Sequence, residues 1–252
     1  MRVCLLIPDY DHRDEIEGVV DSLAFAGLPC LIVDDGSGPE TRAVLDAIAS
    51  RRRWVEVHHR ERNGGRGAAL KTGYRLAHAR GFTHAVQLDA DAQHDARDLP
   101  RFLAEIEREP GALVLGAPVF DETAPRSRLW GRQLSRAMVW LATLSFDVRD
   151  PLCGFRGIPL APTLALLDAV RTGDHMDFDP QLVILLHWAG VPVRNVPTRV
   201  VYRPGGLSHF DTVRDNARLT GVYARALAGM LARLPRTLAG RTARSSPDGA
   251  TR

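Results

Sequence analysis

Short apolar runs alternate with helical patterns along the first two thirds of the chain, and this alternation restricts the fold more than any other feature. The apolar runs occupy residues 3–7, 30–33, 54–57, 85–88 and 113–115. The helical patterns occupy residues 13–26, 39–50, 66–80 and 97–109. Strand–helix alternation of this kind produces right-handed crossover units around a mostly parallel sheet. We therefore expect an α/β fold, in which the proline-interrupted segment at 191–202 forms an edge strand.

The size and composition of the chain fit a single globular domain. Its 252 residues are 45% hydrophobic and 25% charged, which suffices for a full core. The three cysteines, Cys4, Cys30 and Cys153, form no CxxC pair, which favours a reducing, cytoplasmic location. The longest apolar stretch, at 137–146, covers about half of the roughly 20 residues that a membrane span needs. We expect a protein that is soluble, or peripheral on the inner face of the cytoplasmic membrane.

Arginine carries almost all of the positive charge. The net charge is +3, and Lys71 is the only lysine. Arginine forks suit phosphate oxygens, although a GC-rich genome produces the same bias, and we prefer that explanation for the composition as a whole. Aromatic residues make up 6% of the chain and no basic patch alternates with them, so we expect no nucleic-acid partner.

Two carboxylates one residue apart mark the point where the fourth predicted strand meets its loop. Asp89 and Asp91 follow the fourth apolar run, and Gln93 stands two positions further on. A D-x-D of this kind can hold Mg²⁺ or Mn²⁺ through one or two carboxylates, with water and a nucleotide diphosphate completing the shell. The alternative is a helix N-cap, but Asp95 or Asp98 can already cap the helix that follows.

Two further loops at the same expected edge of the sheet carry candidate nucleotide-binding groups. The segment 34–36, Asp-Asp-Gly, turns out of the second strand, where a carboxylate can accept a nucleobase N–H or a ribose hydroxyl. A turn selected for its geometry is the alternative. The segment "NGGRG" at 63–67 opens a helix and resembles a phosphate-binding loop. It does not match G-x-x-x-x-G-K-[ST], and no G-x-G-x-x-G follows the first strand, which argues against a P-loop NTPase and a Rossmann dehydrogenase.

Two helical stretches combine an apolar side with arginines. In the first, at 128–146, arginine recurs at every fourth position from Arg128 to Arg136; in the second, at 213–234, the arginines lie mostly off the apolar side. We expect both helices to pack on the domain through their apolar side, with the opposite side exposed to solvent. The alternative is an interfacial helix at an anionic membrane. The resulting division of the chain is a domain at 1–212, a C-terminal amphipathic helix at 213–238 and a disordered tail at 239–252.

Six motifs occur in an order that resembles the inverting family 2 glycosyltransferases. They are "IPDYDHRDEI", "VDDGSG", "RNGGRGAALKTGY", "LDADAQH", "DPLCGFRG" and "YRPGGLSHF". They cover roughly residues 2–210, and they are most similar to the dolichyl- or polyprenyl-phosphate mannose or glucose synthase subgroup. The resemblance implies a GT-A fold, which is a single α/β domain that binds a nucleotide sugar. It also implies a UDP- or GDP-sugar donor and a lipid-linked acceptor.

The resemblance and the residue chemistry together assign roles to individual side chains. The divalent ion, Mg²⁺ or Mn²⁺, would be held by Asp89, Asp91 and Gln93. The nucleotide sugar would be bound by Pro8, Tyr10, Asp34, Asp35, Gly36, Arg66, Asp89, Ala90, Asp91 and Arg203. The catalytic residues would be Asp91, Arg203, Asp177 and Asp179. The acceptor would be bound by Arg128, Arg132 and Ser208.

The chain departs from the family pattern at four places. The usual Tyr-Asn-Glu after the first strand is Tyr-Asp-His at 10–12, and Arg66 replaces a lysine while keeping its charge. The subgroup's Gly-Ser-Arg is Gly-Ala-Pro at 116–118, which removes an arginine that would face the acceptor phosphate. Where the family tends to have Phe-x-x-Glu, this chain has Phe-Asp-Pro-Gln at 178–181.

The acceptor decides whether the reaction needs a general base. An acceptor phosphate is already ionised, whereas a hydroxyl needs a carboxylate within hydrogen-bonding reach. Asp177 and Asp179 are the candidates, and N-capping of a helix at 180–189 is the alternative for Asp179. We expect transfer to polyprenyl phosphate ahead of transfer to a hydroxyl of a lipid, pigment or glycan.

Three other classes share parts of this pattern. A haloacid-dehalogenase phosphatase has D-x-D-x-[TV], but position 93 here is glutamine. A nucleotidyltransferase needs a glycine-rich basic loop after the first strand, where this chain has "PDYDHRD". A catalytically silent subunit that keeps the GT-A fold is the remaining, non-enzymatic alternative.

Overall fold

The computed structural model describes residues 1–120, 126–201 and 211–244, with the side chains of residues 127 and 234–244 excluded. The strands are β1 (Val3–Asp9), β2 (Cys30–Asp34), β3 (Val55–His59), β4 (His84–Gln87), β5 (Leu113–Phe120), β6 (Arg156–Pro159) and β7 (Val193–Val200). The helices are α1 (Ile16–Leu23), α2 (Pro39–Arg51), α3 (Arg66–Ala79), α4 (Leu99–Arg108), α5 (Arg126–Thr143), α6 (Leu160–Ala169), α7 (Phe178–Trp188) and α8 (Thr212–Arg244). Two short 3₁₀ turns lie at Ala24–Ala26 and Ala96–Asp98.

The described strands form one mixed sheet in the order β3-β2-β1-β4-β6-β5-β7. All of them run in the same direction except β6, which is antiparallel to both of its neighbours, β4 and β5. The mostly parallel α/β sheet is therefore confirmed, and so is the position of the proline-interrupted strand, because β7 lies at an edge. The sequence did not predict β6, since its four residues, Arg-Gly-Ile-Pro, contain no apolar run.

Helices cover both faces of the sheet, and a separate core fills each side. Side chains alternate across β1, so Leu5 and Ile7 pack with α1, α2 and α4, while Leu6 packs with α3, α6 and α7. Because both faces are covered, β1 and β2 are apolar along most of their length, as expected for parallel strands. The three cysteines are buried and unpaired. The carboxyl ends of β1, β2 and β4 meet at one edge, where the marked acidic residues lie.

The C-terminal helix packs on the rest of the fold. Leu219, Val222, Tyr223 and Ala226 of α8 are buried, and the helix contacts α5 and α7. This is the packed arrangement that we expected for the second arginine-bearing stretch. The helix continues to Arg244, beyond the boundary that we placed at residue 238. Within the described residues, no helix is both long enough and apolar enough to cross a bilayer.

Candidate active site

Asp89 lies just beyond β4 and is held on three sides. Arg66 forms an ion pair with it, with Nη1 2.6 Å from Oδ1, and Nε2 of His94 lies 3.6 Å from Oδ2. On the third side the backbone of Gly154 approaches so closely that a Cβ there would lie 1.9 Å from Oδ2. The position of the carboxylate is therefore determined by elements that are distant in the sequence.

Asp91 shapes its own loop and does not cap a helix. Its Oδ1 accepts a hydrogen bond from the Gln93 backbone N–H at 3.1 Å. Ala92, between them, has a φ of 55°, a left-handed conformation that is uncommon for a residue with a Cβ. The capping role belongs to Asp95, which accepts the Arg97 backbone N–H at 3.0 Å at the start of the 3₁₀ turn. The capping alternative for Asp91 is thereby excluded.

The two carboxylates of the D-x-D segment have opposite electrostatic environments. Burial by itself would raise the pKa of Asp89, but the Arg66 guanidinium and His94 hold that pKa well below its ordinary value. Burial, together with the negative charge of Asp89, raises the pKa of Asp91 above its ordinary value. Asp89 is thus firmly anionic, whereas a nearby positive charge would stabilise the ionised form of Asp91.

The side-chain oxygens of Asp89, Asp91 and Gln93 suit a hard divalent cation that completes its coordination shell with substrate phosphates. Among the residues that the structure describes, no three His, Cys, Asp or Glu side chains form a complete metal site. Mg²⁺ and Mn²⁺ prefer oxygen ligands, and Mg²⁺ is typically bound through one or two carboxylates together with substrate phosphates. A bound cation would relieve the repulsion between Asp89 and Asp91, which together with burial raises the pKa of Asp91. The residues fit the expected ion, and ligation by Asp89, Asp91 and Gln93 stays a prediction.

Arg66 also connects Asp89 to a buried chain of charges. Its Nε donates to Asp179 Oδ2 at 2.7 Å. The other oxygen of Asp179 lies 3.0 Å from Nη1 of Arg156, a side chain with no exposed surface. Both oxygens of Asp179 therefore face guanidinium groups. Sequence reasoning assigned no role to Arg156, although this arginine is part of the motif "DPLCGFRG" at 150–157.

Asp177 occupies the position just before α7. The helix begins at Phe178, so Asp179 lies in its first turn and is not its N-cap. Asp177 is buried and accepts the His175 backbone N–H at 3.3 Å rather than a helix amide. Of the two candidate bases, Asp177 is the one without a guanidinium within ion-pairing distance among the described side chains.

Three backbone amides of the glycine-rich segment before α3 are occupied by protein oxygens. The backbone N–H groups of Gly64 and Gly65 donate to Asp35, at 3.1 and 2.7 Å. The Ala68 N–H donates to the carbonyl of Asp174 at 2.9 Å. These three amides are therefore not available to a phosphate, which argues against a phosphate-binding loop that uses them.

Asp34 is fully buried beneath the turn after β2. Its oxygens accept the Ser37 backbone N–H at 2.9 Å and lie 2.7 Å from His59 Nδ1 and 3.3 Å from Arg42 Nε. Burial would raise the pKa of Asp34, but the hydrogen bonds from His59 and Ser37 lower it. Asp34 thus holds the turn together, and its contact with a nucleoside stays a prediction.

The other predicted nucleotide-binding positions lie around this turn. Gly36 has a φ of +78°, and a Cβ there would lie 2.5 Å from backbone atoms of Arg62, so the position requires glycine. Pro8 and Ala90 are buried at the ends of β1 and β4, and Tyr10 is half-buried. The strand ends therefore bring these residues to the same edge as Asp89.

Sequence reasoning missed one buried acid at this edge. Asp9, the last residue of β1, is 2% exposed, and neither of its oxygens makes a hydrogen bond within the described structure. Burial, and then the charges of Asp34, Asp11 and Glu15, raise its pKa to about 7. An acidic residue in the last position of a buried strand was the available signal.

A groove of about 500 Å³ lies between the end of β5, α5 and the loop after α5. Its walls include Ala117, Pro118, Arg132, Arg136, Trp140 and Arg149. Arg132 donates to both oxygens of Asp150, at 2.9 and 2.8 Å. Pro118, where the subgroup has arginine, forms part of the wall, and Arg136 and Arg149 supply positive charge to the same groove. Arg128 is exposed at the start of α5 and is not among the residues that line it.

Arg203 and Ser208 lie outside the described residues. The strand that leads toward them ends beside the D-x-D segment. The Val201 N–H donates to the carbonyl of Gln93 at 3.1 Å, and Val200 forms an isolated bridge with His94. The chain that precedes Arg203 is therefore anchored to the loop of the predicted metal ligands.

Comparison with known protein families decides the class of this site. Residues 4–161, which make up more than half of the chain, match the sequence model of Glycosyl transferase family 2. The chain belongs to this family. It is therefore a glycosyltransferase, as the ordered motifs predicted.

Curated relatives of this glycosyltransferase include enzymes named for polyprenyl-phosphate chemistry. It is 28% identical over 218 residues to an undecaprenyl-phosphate mannosyltransferase of Micrococcus luteus, covering 82% of this chain and 87% of the relative. It is 28% identical over 226 residues to glycosyltransferase AglD of Haloferax volcanii, covering 85% of this chain and 35% of the relative. The chain therefore spans about a third of AglD and most of the Micrococcus enzyme. These names support the predicted subgroup.

Solved structures confirm the GT-A-type fold of the glycosyltransferase. Glucosyl-3-phosphoglycerate synthase of Mycobacterium tuberculosis, solved with Mn²⁺, UDP-glucose and phosphoglyceric acid, aligns with a TM-score of 0.61 at 18% identity, covering 92% of this chain and 79% of the other. The mannosyltransferase PcManGT of Pyrobaculum calidifontis, solved with GDP-Man and Mn²⁺, aligns with a TM-score of 0.57 at 17% identity, covering 98% and 81%. At these identities, the likeness shows the fold.

Proposed function

We propose that this glycosyltransferase moves a sugar, with inversion, from a UDP- or GDP-sugar to polyprenyl phosphate and depends on Mg²⁺ or Mn²⁺. Relatives named for transfer to undecaprenyl phosphate support the acceptor class. Neighbours of the same fold that were solved with Mn²⁺ and a UDP- or GDP-sugar support the donor class and the metal.

The pairing of Asp179 disfavours one of the two candidate bases and so supports a phosphate acceptor, while Asp177 stays the candidate base for a hydroxyl acceptor. A general base needs an oxygen that can reach the acceptor proton, but both oxygens of Asp179 are held by Arg66 and Arg156. A phosphate acceptor needs no base. It needs cations that hold its oxygens, and Arg136 and Arg149 line the groove beside α5.

The acceptor groove and the donor edge are joined by one short segment. Residues 150–154 run from Asp150, which pairs with Arg132 in the groove wall, to Gly154, which touches Asp89. Four residues of chain span at most about 14 Å. An acceptor phosphate in the groove would thus lie near the donor edge. Inversion would require it to attack the sugar from the side opposite the nucleotide.

Each side chain at the donor edge has a defined task in this proposal. Asp89 and Asp91, with Gln93, hold the cation, and Arg66 with His94 keeps Asp89 ionised and in place. A divalent ion bound there offsets the negative charge that develops on the leaving nucleotide. Arg203 would add a second positive charge to the diphosphate, a role that stays a prediction.

Removing the central carboxylate tests the donor side. We expect Asp91→Ala to lower transfer from GDP-mannose or UDP-glucose to a short-chain polyprenyl phosphate by at least about 100-fold, because charge stabilisation at the leaving group is lost. The measurement is product formation with Mn²⁺, Mg²⁺ or EDTA, with the anomeric configuration read by NMR. Asp95→Ala, which removes the capping acid of the same loop, is the matched control and should retain activity.

The outcomes separate the proposal from its alternatives. Full turnover of Asp91→Ala in EDTA would contradict metal-dependent transfer. Transfer to a lipid hydroxyl that Asp177→Asn abolishes, with the phosphate acceptor inert, would establish the base-catalysed alternative. Calorimetry that detects no nucleotide-sugar binding in the presence of Mn²⁺ would identify a silent subunit.

A further inference from the structure

Helix α5 carries an apolar stripe that the described fold leaves uncovered. Trp130, Leu134, Ala137 and Leu141 follow one another at spacings of four, three and four residues, so they share one side of the helix. Trp130 is 76% exposed, Leu134 65% and Leu141 53%. We call these four residues the α5 stripe; it is about 16 Å long, given the rise of a helix.

The apolar surface continues past the end of the helix. Phe146 is 78% exposed, and its ring packs edge-on against Trp140, with the centroids 5.0 Å apart. Single exposed apolar residues are ordinary on protein surfaces, but a contiguous set marks an interaction site. The stripe is such a set on one helix, and Phe146 with Trp140 adds apolar surface on the side of this helix that lines the groove.

The second arginine-bearing helix does not share this property over its central part. Leu219, Val222 and Tyr223 of α8 are buried against the domain. The same sequence pattern therefore has two outcomes, because the apolar side of α8 faces the fold while α5 presents a separate apolar side outward. The buried side of α5 is made by other residues, including Ser135 and Val139.

The charge around the stripe indicates which partner fits it. The segment Arg126–Thr143 contains four arginines and no acidic residue. Arg126 begins the helix on the side of the stripe, while Arg136 and Arg149 line the adjoining groove. A second copy of this chain would present the same positive charge, so the two surfaces would not be complementary in charge. A surface of lipid phosphates has the opposite charge and an apolar layer beneath it.

We propose that the α5 stripe docks on an anionic bilayer surface, with the stripe and Phe146 entering the acyl boundary and the flanking arginines bound to lipid phosphates. Tryptophan is well suited to this boundary because its ring is apolar while its N–H stays hydrated. The inference extends the proposed function, since the groove beside the stripe would then open at the membrane in which a polyprenyl phosphate resides. It rests, however, on surface chemistry that is independent of transfer.

Vesicle flotation tests the docking surface directly. The full chain is mixed with vesicles of pure phosphatidylcholine or of phosphatidylcholine with phosphatidylglycerol, at low and high salt. We expect flotation with the anionic vesicles, weakened by salt, and a loss of at least about tenfold in the bound fraction for Trp130→Ser/Leu134→Ser. Phe25→Ser is the matched control, because Phe25 is 60% exposed on a different part of the surface, and it should float like the wild type.

Activity and oligomeric state complete the test. The double variant should retain transfer to a short-chain soluble acceptor and lose transfer to an acceptor embedded in vesicles. If the wild type floats but transfers nothing, docking stands while the proposed function fails. Equal flotation of the double variant, or no flotation of the wild type, would overturn the inference. A homodimer that the double variant converts to monomer in light scattering, without lipid, would show instead that the stripe joins two copies.

Discussion

Among single residues, Asp9 combines deep burial with unpaired oxygens at the edge where β1 and β2 end. It is 2% exposed, it lies opposite Asp34 in the strand register, and burial together with neighbouring acids raises its pKa to about 7. Between its ordinary pKa and 7, the folded state holds a proton that the unfolded chain has released. The free energy of unfolding therefore falls as the pH rises through 7.

The variant Asp9→Asn should remove this pH dependence. Relative to wild type, we expect it to be more stable at pH 8 by up to about 4 kcal/mol, which corresponds to a pKa shift of roughly three units, and nearly equal in stability below about pH 4. Urea unfolding at several pH values measures the difference. Asp14→Asn, at an exposed acid, is the control and should show no such trend, and a constant offset for Asp9→Asn at every pH would contradict the assignment.

The Asp179 carboxylate gives a second residue-level prediction. Asp179→Asn should destabilise the fold by about 3–5 kcal/mol, because it leaves the buried Arg156 and the half-buried Arg66 without their shared carboxylate. Asp168→Asn breaks an exposed pair with Arg75 and should cost less than about 1 kcal/mol. Denaturant unfolding measures both changes. A loss of transfer with unchanged stability would instead favour Asp179 as a catalytic base.

Among the structural elements, the loop before β6 has the greatest influence on the site. It runs from the groove wall at Asp150 to Gly154, and its start and end contact the proposed acceptor and donor sides. The buried side chain of Arg156 stabilises the loop by donating hydrogen bonds to the carbonyls of Cys153 and Pro151, at 2.7 and 2.6 Å. A buried arginine thus stabilises a loop that has no regular secondary structure of its own.

Gly154→Ala tests whether this loop positions Asp89. A Cβ would lie 1.9 Å from Asp89 Oδ2, so the carboxylate must move, and we expect kcat/KM to fall by about 100-fold while the fold is retained. Gly111→Ala is the control, because nothing lies within 4 Å of a Cβ at that position. Steady-state kinetics over a range of Mn²⁺ concentrations measure the effect. Unchanged kinetics for Gly154→Ala would show that Asp89 has no fixed role in catalysis.

At the scale of the whole molecule, α8 is packed as part of the α/β domain. Its inner side is buried against α5 and α7, so cooperative unfolding should include it. Leu219→Ala should lower the free energy of unfolding by about 2–4 kcal/mol through the cavity it leaves. Leu231→Ala, at a 62% exposed position on the same helix, should change it by less than about 0.5 kcal/mol. Equal effects of the two variants in thermal unfolding would mean that α8 is separable from the domain.

The sequence determined the alternation of strands and helices, the edge position of β7 and the clustering of acidic residues at one end of the sheet. These features follow from local patterns, because a few consecutive residues show both the hydrophobic periodicity and the position of acidic residues after a strand. The motifs likewise identified the family, because each is a short run of residues and the six occur in the family's order along the chain. The predicted metal ligands were inferred in the same way, because they follow one strand end, and their ligation stays a prediction.

The tertiary structure sets which groups neutralise each other and which surfaces stay exposed. It inserted β6, whose four residues contain no apolar run, and placed Arg156 against Asp179. It brought Arg66 between Asp89 and Asp179, and it buried the inner side of α8 while exposing the α5 stripe. These outcomes depend on contacts between residues far apart in the chain. Their free energies come from burial and from paired charge, which a local pattern does not specify.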